Sequence, residues 1–292
     1  MNNATDLRAT VREEYGAMAR AGSSCCGPST SSTNGCCAPA ANPDALAAAI
    51  GYDAKELATI LPEGANLGLS CGNPGAIAAL KPGEVVLDLG SGAGFDAFLC
   101  GPKVGTKGQV IGVDMTPDML ARARNNLIGY TQRTGLANIE FRMGEIEHLP
   151  VADASVDVVI SNCVINLSTD KPQVWREIAR VLKPGGRVAV SDMVLLKPLP
   201  DNLKNAVEAY VGCISGASVV DDLRRMMINA GLATVRLESK AAYVAALTAG
   251  DDPLYRNVAA ALPPGTTPAD YITSMDIRAV KPAACCAPGC CP

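Results

Sequence analysis

Between residues 84 and 195 short apolar runs alternate with helical patterns. EVVLDLG (84–90), QVIGVD (109–114), NIEFRMG (138–144), SVDVVISN (155–162) and GRVAVSDMVLL (186–196) are nearly continuous apolar stretches, the pattern of strands covered on both faces. The spacing predicts a helix over 117–134, opened by Pro117 and stopped by Gly135. It predicts another over 171–182, opened by Pro172 and stopped by Lys183-Pro184-Gly185-Gly186. Buried strands joined by helical crossovers define an α/β chain with a doubly wound, mostly parallel sheet. Upstream, Asn42 as a cap and Pro43 at the first helical position, followed by Leu46, Ile50, Leu57 and Ile60, predict two short helices broken by Gly51. Downstream, 200–230 reads as helices around VGCISGAS (211–218). ATVRLESK (233–240) and SMDIRAVKP (274–282) read as late strands that complete the sheet and leave a smaller cap region beside it.

The regular pattern has ragged flanks. Residues 21–41 are rich in Ser, Thr, Gly, Pro and Ala, as are residues 282–292, a composition that favours flexible loop over packed structure. The chain therefore divides into a flexible segment (1–41), a main domain (42–196), a C-terminal region completing the sheet (197–282) and a tail (283–292). Its 292 residues, at about 150 per domain, are enough to bury a core without staples.

Charge and cysteine content narrow the chemistry. With 25 Lys and Arg against 29 Asp and Glu the net charge is −4, and without a basic cluster neither nucleic acid nor an anionic membrane is an expected partner. No run approaches the ~18 apolar residues of a membrane span. Met1–Tyr15 interleaves Asp6, Arg8, Arg12, Glu13 and Glu14 and so lacks the apolar core of a signal peptide; a cytoplasmic location is the expectation. Twelve cysteines in a reducing compartment are read as ligands or redox-active thiols. Eight form vicinal pairs, Cys25–Cys26, Cys36–Cys37, Cys285–Cys286 and Cys290–Cys291, in the two flanks; Cys71, Cys100, Cys163 and Cys213 are scattered through the body. His148 is the single histidine, which removes multi-histidine metal sites and makes a histidine-based triad a poor reading. It is expected in a surface loop, and Trp175 and Cys100 in the core.

A cofactor turn follows the first strand. VLDLGSGAGFDAFL (86–99) places Asp88 in the strand and Gly90, Gly92 and Gly94 in the turn, where missing side chains admit a ligand to the backbone N–H groups. Twenty residues on, Asp114 ends the second strand, where an acid can accept two hydrogen bonds from a ribose diol. Phe95 stands where the dinucleotide fingerprint requires its last glycine, which favours an adenosyl cofactor other than NAD. The competing reading is a tight turn that needs positive φ, with Asp88 bracing it.

VLDLGSGAGF, GVDMTPDML, GEIEHLP, VLKPGGRV and SMDIRAVKP resemble the motif series of class I S-adenosylmethionine-dependent methyltransferases. LSCGNP (69–74), ISNCVINLS (160–168) and GCISGA (212–217) resemble, more narrowly, the cysteine-bearing motifs of arsenite methyltransferases, over roughly residues 10–240. The resemblance implies a Rossmann-like methyltransferase sheet with S-adenosylmethionine bound by Asp88, Gly90, Gly92, Gly94, Asp114, Met115, Glu145, Ile146 and Asn162. It implies trivalent arsenic, delivered as a thiol conjugate, held by Cys71, Cys163 and Cys213, with an N-terminal cysteine joining them.

The chemistry is consistent with that implication. Trivalent arsenic is soft and selects thiolates, which leave its lone pair free to take a methyl group without a general base. Transfer leaves arsenic pentavalent; Cys36 with Cys37 could return two electrons by forming a disulfide, later reduced by a cellular thiol system such as glutathione or thioredoxin. Alternatives stand beside each reading. Cys163, Cys71 and Cys213 can also be read as small buried apolar residues, and the terminal pairs as zinc ligands or a dispensable tail. The whole chain can be read as a methyltransferase of an organic acceptor or as a metalloid-sequestering protein. A monomer is the expected state.

Overall fold

The computed structural model describes residues 4–21, 43–204, 214–240 and 253–283. Among these, seven strands form one sheet: β1 (Val85–Leu89), β2 (Gln109–Asp114), β3 (Ile139–Met143), β4 (Val156–Asn162), β5 (Leu182–Leu195), β6 (Ala233–Lys240) and β7 (Ile272–Val280). Their order is β3-β2-β1-β4-β5-β7-β6. The five strands from β3 to β5 are parallel, and β7 runs antiparallel between β5 and β6. The doubly wound, mostly parallel α/β sheet expected from the alternating runs is the observed one. The strands drawn from 197–282 complete the same sheet as those of 42–196.

Side-chain alternation assigns the two faces. On β1, Leu87 and Leu89 join an apolar cluster with Trp175 and Ile178 of α7 (Lys171–Val181) and Leu223 and Met227 of α9 (Val220–Asn229). Val86 points the other way, into a cluster with Phe98 of α5 (Phe95–Val104), Leu120 and Tyr130 of α6 (Pro117–Thr134) and Leu57 of α3 (Ala54–Ile60). Cys100 lies in this second cluster, 1% exposed, and Trp175 is fully buried against the sheet. The remaining α-helices among the described residues are α1 (Ala4–Ala21), α2 (Pro43–Ala49), α4 (Pro74–Ile77), α8 (Asp201–Lys204) and α10 (Pro253–Ala261). No described helix is long and apolar enough to cross a membrane.

Two expectations change. The division of the chain sets a flexible segment over 1–41, yet 4–21 form α1, because Val11, Tyr15, Met18 and Ala19 recur at helical spacing and make an apolar stripe. Arg20 pairs with Asp118 at 2.6 Å and Arg122 donates to the Ala19 carbonyl at 2.7 Å, so α1 is fastened to α6. Lys183–Gly186 end α7 but also belong to β5. Gly185 sits at φ 82°, and the register with β4 jumps from Val156–Leu182 to Val158–Arg187, so the glycines form an irregular start to the strand rather than a separate loop.

Candidate active site

The C-terminal ends of β1, β2, β3 and β4 open on a cleft with about 1060 Å³ of open space, at the edge where doubly wound sheets bind ligands. Gly90, Ser91, Gly92 and Ala93 form one wall. Gly90 and Gly92 have φ of 64° and 52°, a region closed to most side chains, and a Cβ at Gly90 would stand 2.4 Å from Val164 Cγ2. Gly94 differs from them. At φ 94° it caps α5, and a Cβ there would meet Phe98 at 2.5 Å and Phe141 at 2.8 Å. It lets α5 pack on the sheet and is not part of the cleft wall.

Asp114 lines the cleft at the end of β2, accepting from Gly92 N at 2.9 Å through Oδ2 and from Thr116 N at 2.8 Å through Oδ1. It thereby holds the glycine turn in place, and each oxygen keeps a further lone-pair site for a diol. Burial pushes its carboxyl upward, against the pull of those backbone donors. Asp88, 2% exposed, also lines the cleft; its Oδ2 has no hydrogen-bond partner, and burial with the neighbouring charges of Asp96 and Asp114 raises its carboxyl well above the usual range. Asp96, in the first turn of α5, is raised by burial and steadied by hydrogen bonds from Tyr52 and Asn162. Three buried acids in one cleft favour a ligand that brings positive charge.

Met115 and Ile146 complete the wall, and Asn162, Cys163 and Val164 close it at the end of β4. Glu145, expected among the cofactor residues, lies outside the wall: it pairs with Arg8 at 3.1 Å and Arg12 at 3.4 Å, while Ile146 and Glu147 face the cleft. Glu147 accepts a 2.6 Å hydrogen bond from Ser168. Arg8, Val11 and Tyr15 of α1 cover the far side. Sequence reasoning missed this cover, although the three residues recur at helical spacing. It also missed Asp96 and Tyr52, whose pairing across 44 residues leaves no local pattern.

The cysteines meet at the same rim. Cys163, at φ 58°, occupies backbone that non-glycine residues rarely adopt, with its N–H donating to the Ser191 carbonyl at 2.9 Å. It is joined to Cys71, 92 residues earlier and 6.1 Å away between Cα atoms, so the two residues read as separate thiolate ligands stand here as a disulfide. A carboxylate oxygen of Asp192 lies within 4.8 Å of both sulfurs. Cys213, Cys36 and Cys37 lie outside the described residues, as do the other vicinal pairs.

A mostly parallel sheet carrying a glycine turn, a strand-end acid and an acid-lined cleft defines a doubly wound enzyme domain for a small cofactor. Residues 80–231 match the family model described as a methyltransferase domain, and the chain belongs to that family. It is 49% identical over 238 residues to an arsenite methyltransferase of Halobacterium salinarum, covering 80% of this chain and 59% of that one. It is 39% identical over 157 residues to the arsenite methyltransferase of Mus musculus, covering 52% of this chain and 42% of the relative. A crystal structure of an arsenic(III) S-adenosylmethionine methyltransferase from Chlamydomonas reinhardtii superposes with a TM-score of 0.59 at 32% identity, over 84% of this chain and 76% of the other. The chain spans about three fifths of the length of the Halobacterium relative and less than half of the mouse one.

Proposed function

We propose that the protein transfers methyl groups from S-adenosylmethionine to trivalent arsenic held by cysteine thiolates. The observation that carries this reading is that Cys163 follows β4 on the wall of the same cleft as Gly90, Gly92 and Asp114. The resemblance to arsenite methyltransferases in sequence, and to one in structure, supports it.

The residues fit the cofactor. Asp114 offers acceptors to a ribose diol, the Gly90–Ala93 turn offers backbone, Met115 and Ile146 offer apolar contact, and the buried acids suit a cationic sulfonium and ammonium. When bound, S-adenosylmethionine supplies a methyl group made electrophilic by its positive sulfur. The protein holds the two centres in line and excludes water, which is the larger part of catalysis for such a transfer. Cys163, Cys71 and Cys213 hold arsenic as a pyramid with its lone pair open; the pair closes on the methyl carbon as the carbon–sulfur bond breaks, leaving S-adenosylhomocysteine with a neutral sulfur. No proton leaves arsenic, so the single histidine, exposed His148, has no part.

The Cys71–Cys163 disulfide must be opened before arsenic enters, which takes two electrons and two protons from a thiol reductant. Cys36 with Cys37 is proposed to return two electrons to pentavalent arsenic after transfer, with glutathione or a thioredoxin-type protein renewing the dithiol.

The test is methyl transfer from labelled S-adenosylmethionine to arsenite as sole acceptor, with a thiol reductant present. The parent should form a methylated arsenical, and Cys163→Ser and Cys213→Ser should each lose arsenite binding and turnover while keeping cofactor affinity. Cofactor binding without a methylated product overturns the reading, and turnover of either variant near the parent rate removes that cysteine as a ligand.

A further inference from the structure

Behind the cleft wall a hydrogen-bonded chain runs from α5 to Cys71. The Tyr52 hydroxyl, on the loop between α2 and α3, is buried and donates to Asp96 Oδ1 at 2.6 Å. The two hydrogens of Asn162 Nδ2 go to the Gly72 carbonyl at 2.9 Å and to Asp96 Oδ2 at 3.0 Å, with the Tyr52 oxygen 3.1 Å from the same nitrogen. These acceptors fix which way the amide faces, so its Oδ1 receives the Cys71 N–H at 3.0 Å and lies 3.6 Å from Cys71 Sγ. The Ser191 carbonyl, 3.5 Å from the same sulfur, is a second acceptor for the thiol once the disulfide is reduced.

Resting on the arsenic reading above, we propose that Tyr52 is a positioning residue for methyl transfer, setting the place of the Cys71 thiol through Asn162. Asp96 and Asn162 line the cleft and Tyr52 does not, so Tyr52 can govern the thiol without touching the cofactor. Its ring is anchored independently, edge-on to Phe95 with centroids 4.8 Å apart. Losing the hydroxyl leaves the ring in place and takes from Asp96 its 2.6 Å hydrogen bond, so the carboxylate shifts and draws with it the Asn162 amide that donates to its other oxygen. A sulfur displaced by a fraction of an ångström carries its arsenic out of line with the methyl group.

Tyr52→Phe is the test, in the full chain with thiols reduced. The turnover number should fall about tenfold while KM for S-adenosylmethionine stays within about threefold, the split expected when a transition-state alignment is lost and cofactor binding is kept. Alkylation of Cys71 by iodoacetamide, followed residue by residue in the mass spectrum, should quicken about threefold, with buried Cys100 unchanged as the control for general loosening. An unchanged turnover number, or Cys71 and Cys100 quickening together, overturns the proposal. Should the parent methylate no arsenite, the functional reading fails, and an unaltered Cys71 rate would sink the tether separately.

Discussion

Asp192 shows how one buried group sets a pH response. Its Oδ1 accepts from Asn166 at 2.8 Å and from the Met193 N–H at 2.8 Å, Oδ2 is buried without a partner, and burial raises the carboxyl to about 7. Its unfolded value is near the ordinary 3.8, so between about 4 and 7 the folded state holds a proton that the unfolded chain has released. Stability from this group is complete at the acid end of that window and is lost as pH rises through 7. Asp192→Asn keeps the Oδ1 acceptor and cannot ionise. Chemical denaturation across pH 4–8 should show the variant gaining on the parent as pH rises, by up to about 4 kcal/mol; parallel curves would show that Asp192 does not titrate in the window. Cys163 carries another residue-scale cost. At φ 58° it occupies backbone that glycine would hold without strain.

Among the elements, α1 bears on the cleft through Arg8, Val11 and Tyr15, and Arg122 supplies one of its attachments beside the Arg20–Asp118 pair. Arg122 donates to the Ala19 carbonyl at 2.7 Å and to the Gly64 carbonyl at 2.9 Å, tying the end of α1 and the loop after α3 to α6. Arg122→Ala should cost about 1–3 kcal/mol locally, bonds from a charged donor being worth somewhat more than neutral ones. The expected outcome is faster hydrogen exchange over residues 4–21 and about three- to tenfold weaker cofactor binding, since Arg8, Val11 and Tyr15 cover the cleft. Unchanged exchange would show that the apolar stripe and the ion pairs of Arg8 and Arg20 hold the helix without Arg122. How far the sequence reveals these elements follows from where each signal lies. The helix over 117–134 is legible to the residue because Pro117 and Gly135 act locally at its two ends. The glycine turn is legible because glycine adopts its φ without the strain a side chain would bring. α1 goes unread, its apolar stripe masked by the charges of Arg8, Arg12, Glu13 and Glu14, and its role needs the distant cleft to be seen. The chain from Tyr52 through Asn162 to Cys71 joins residues 110 and 91 positions apart, and no pattern along the sequence encodes such a pairing.

For the whole molecule, the position of β7 governs what can be removed. Lys281 donates its N–H to the Gly186 carbonyl at 2.8 Å, accepts from Gly185 N at 2.9 Å and caps the Leu182 carbonyl with Nζ at 2.8 Å. Ending the chain after Lys281 retains these bonds and should leave the melting temperature within about 3 °C. Ending it after Tyr271 removes Met275, Ile277 and Ala279, buried between the sheet and its helices, and should abolish the cooperative thermal transition followed by circular dichroism. A cooperative melt of the shorter chain would show that β5 and β6 do not depend on β7. The strand order also has a consequence in time. β5 is finished at Leu195, but the strand that pairs with its edge ends at Val280, 280 − 195 = 85 residues later. At about 5–20 residues per second of synthesis, that edge waits roughly 4–17 s for its partner. During those seconds the nascent chain offers unpaired backbone to any strand it meets on leaving the ribosome, so its yield in the cell should depend on early chaperone contact more than on the stability of the finished fold.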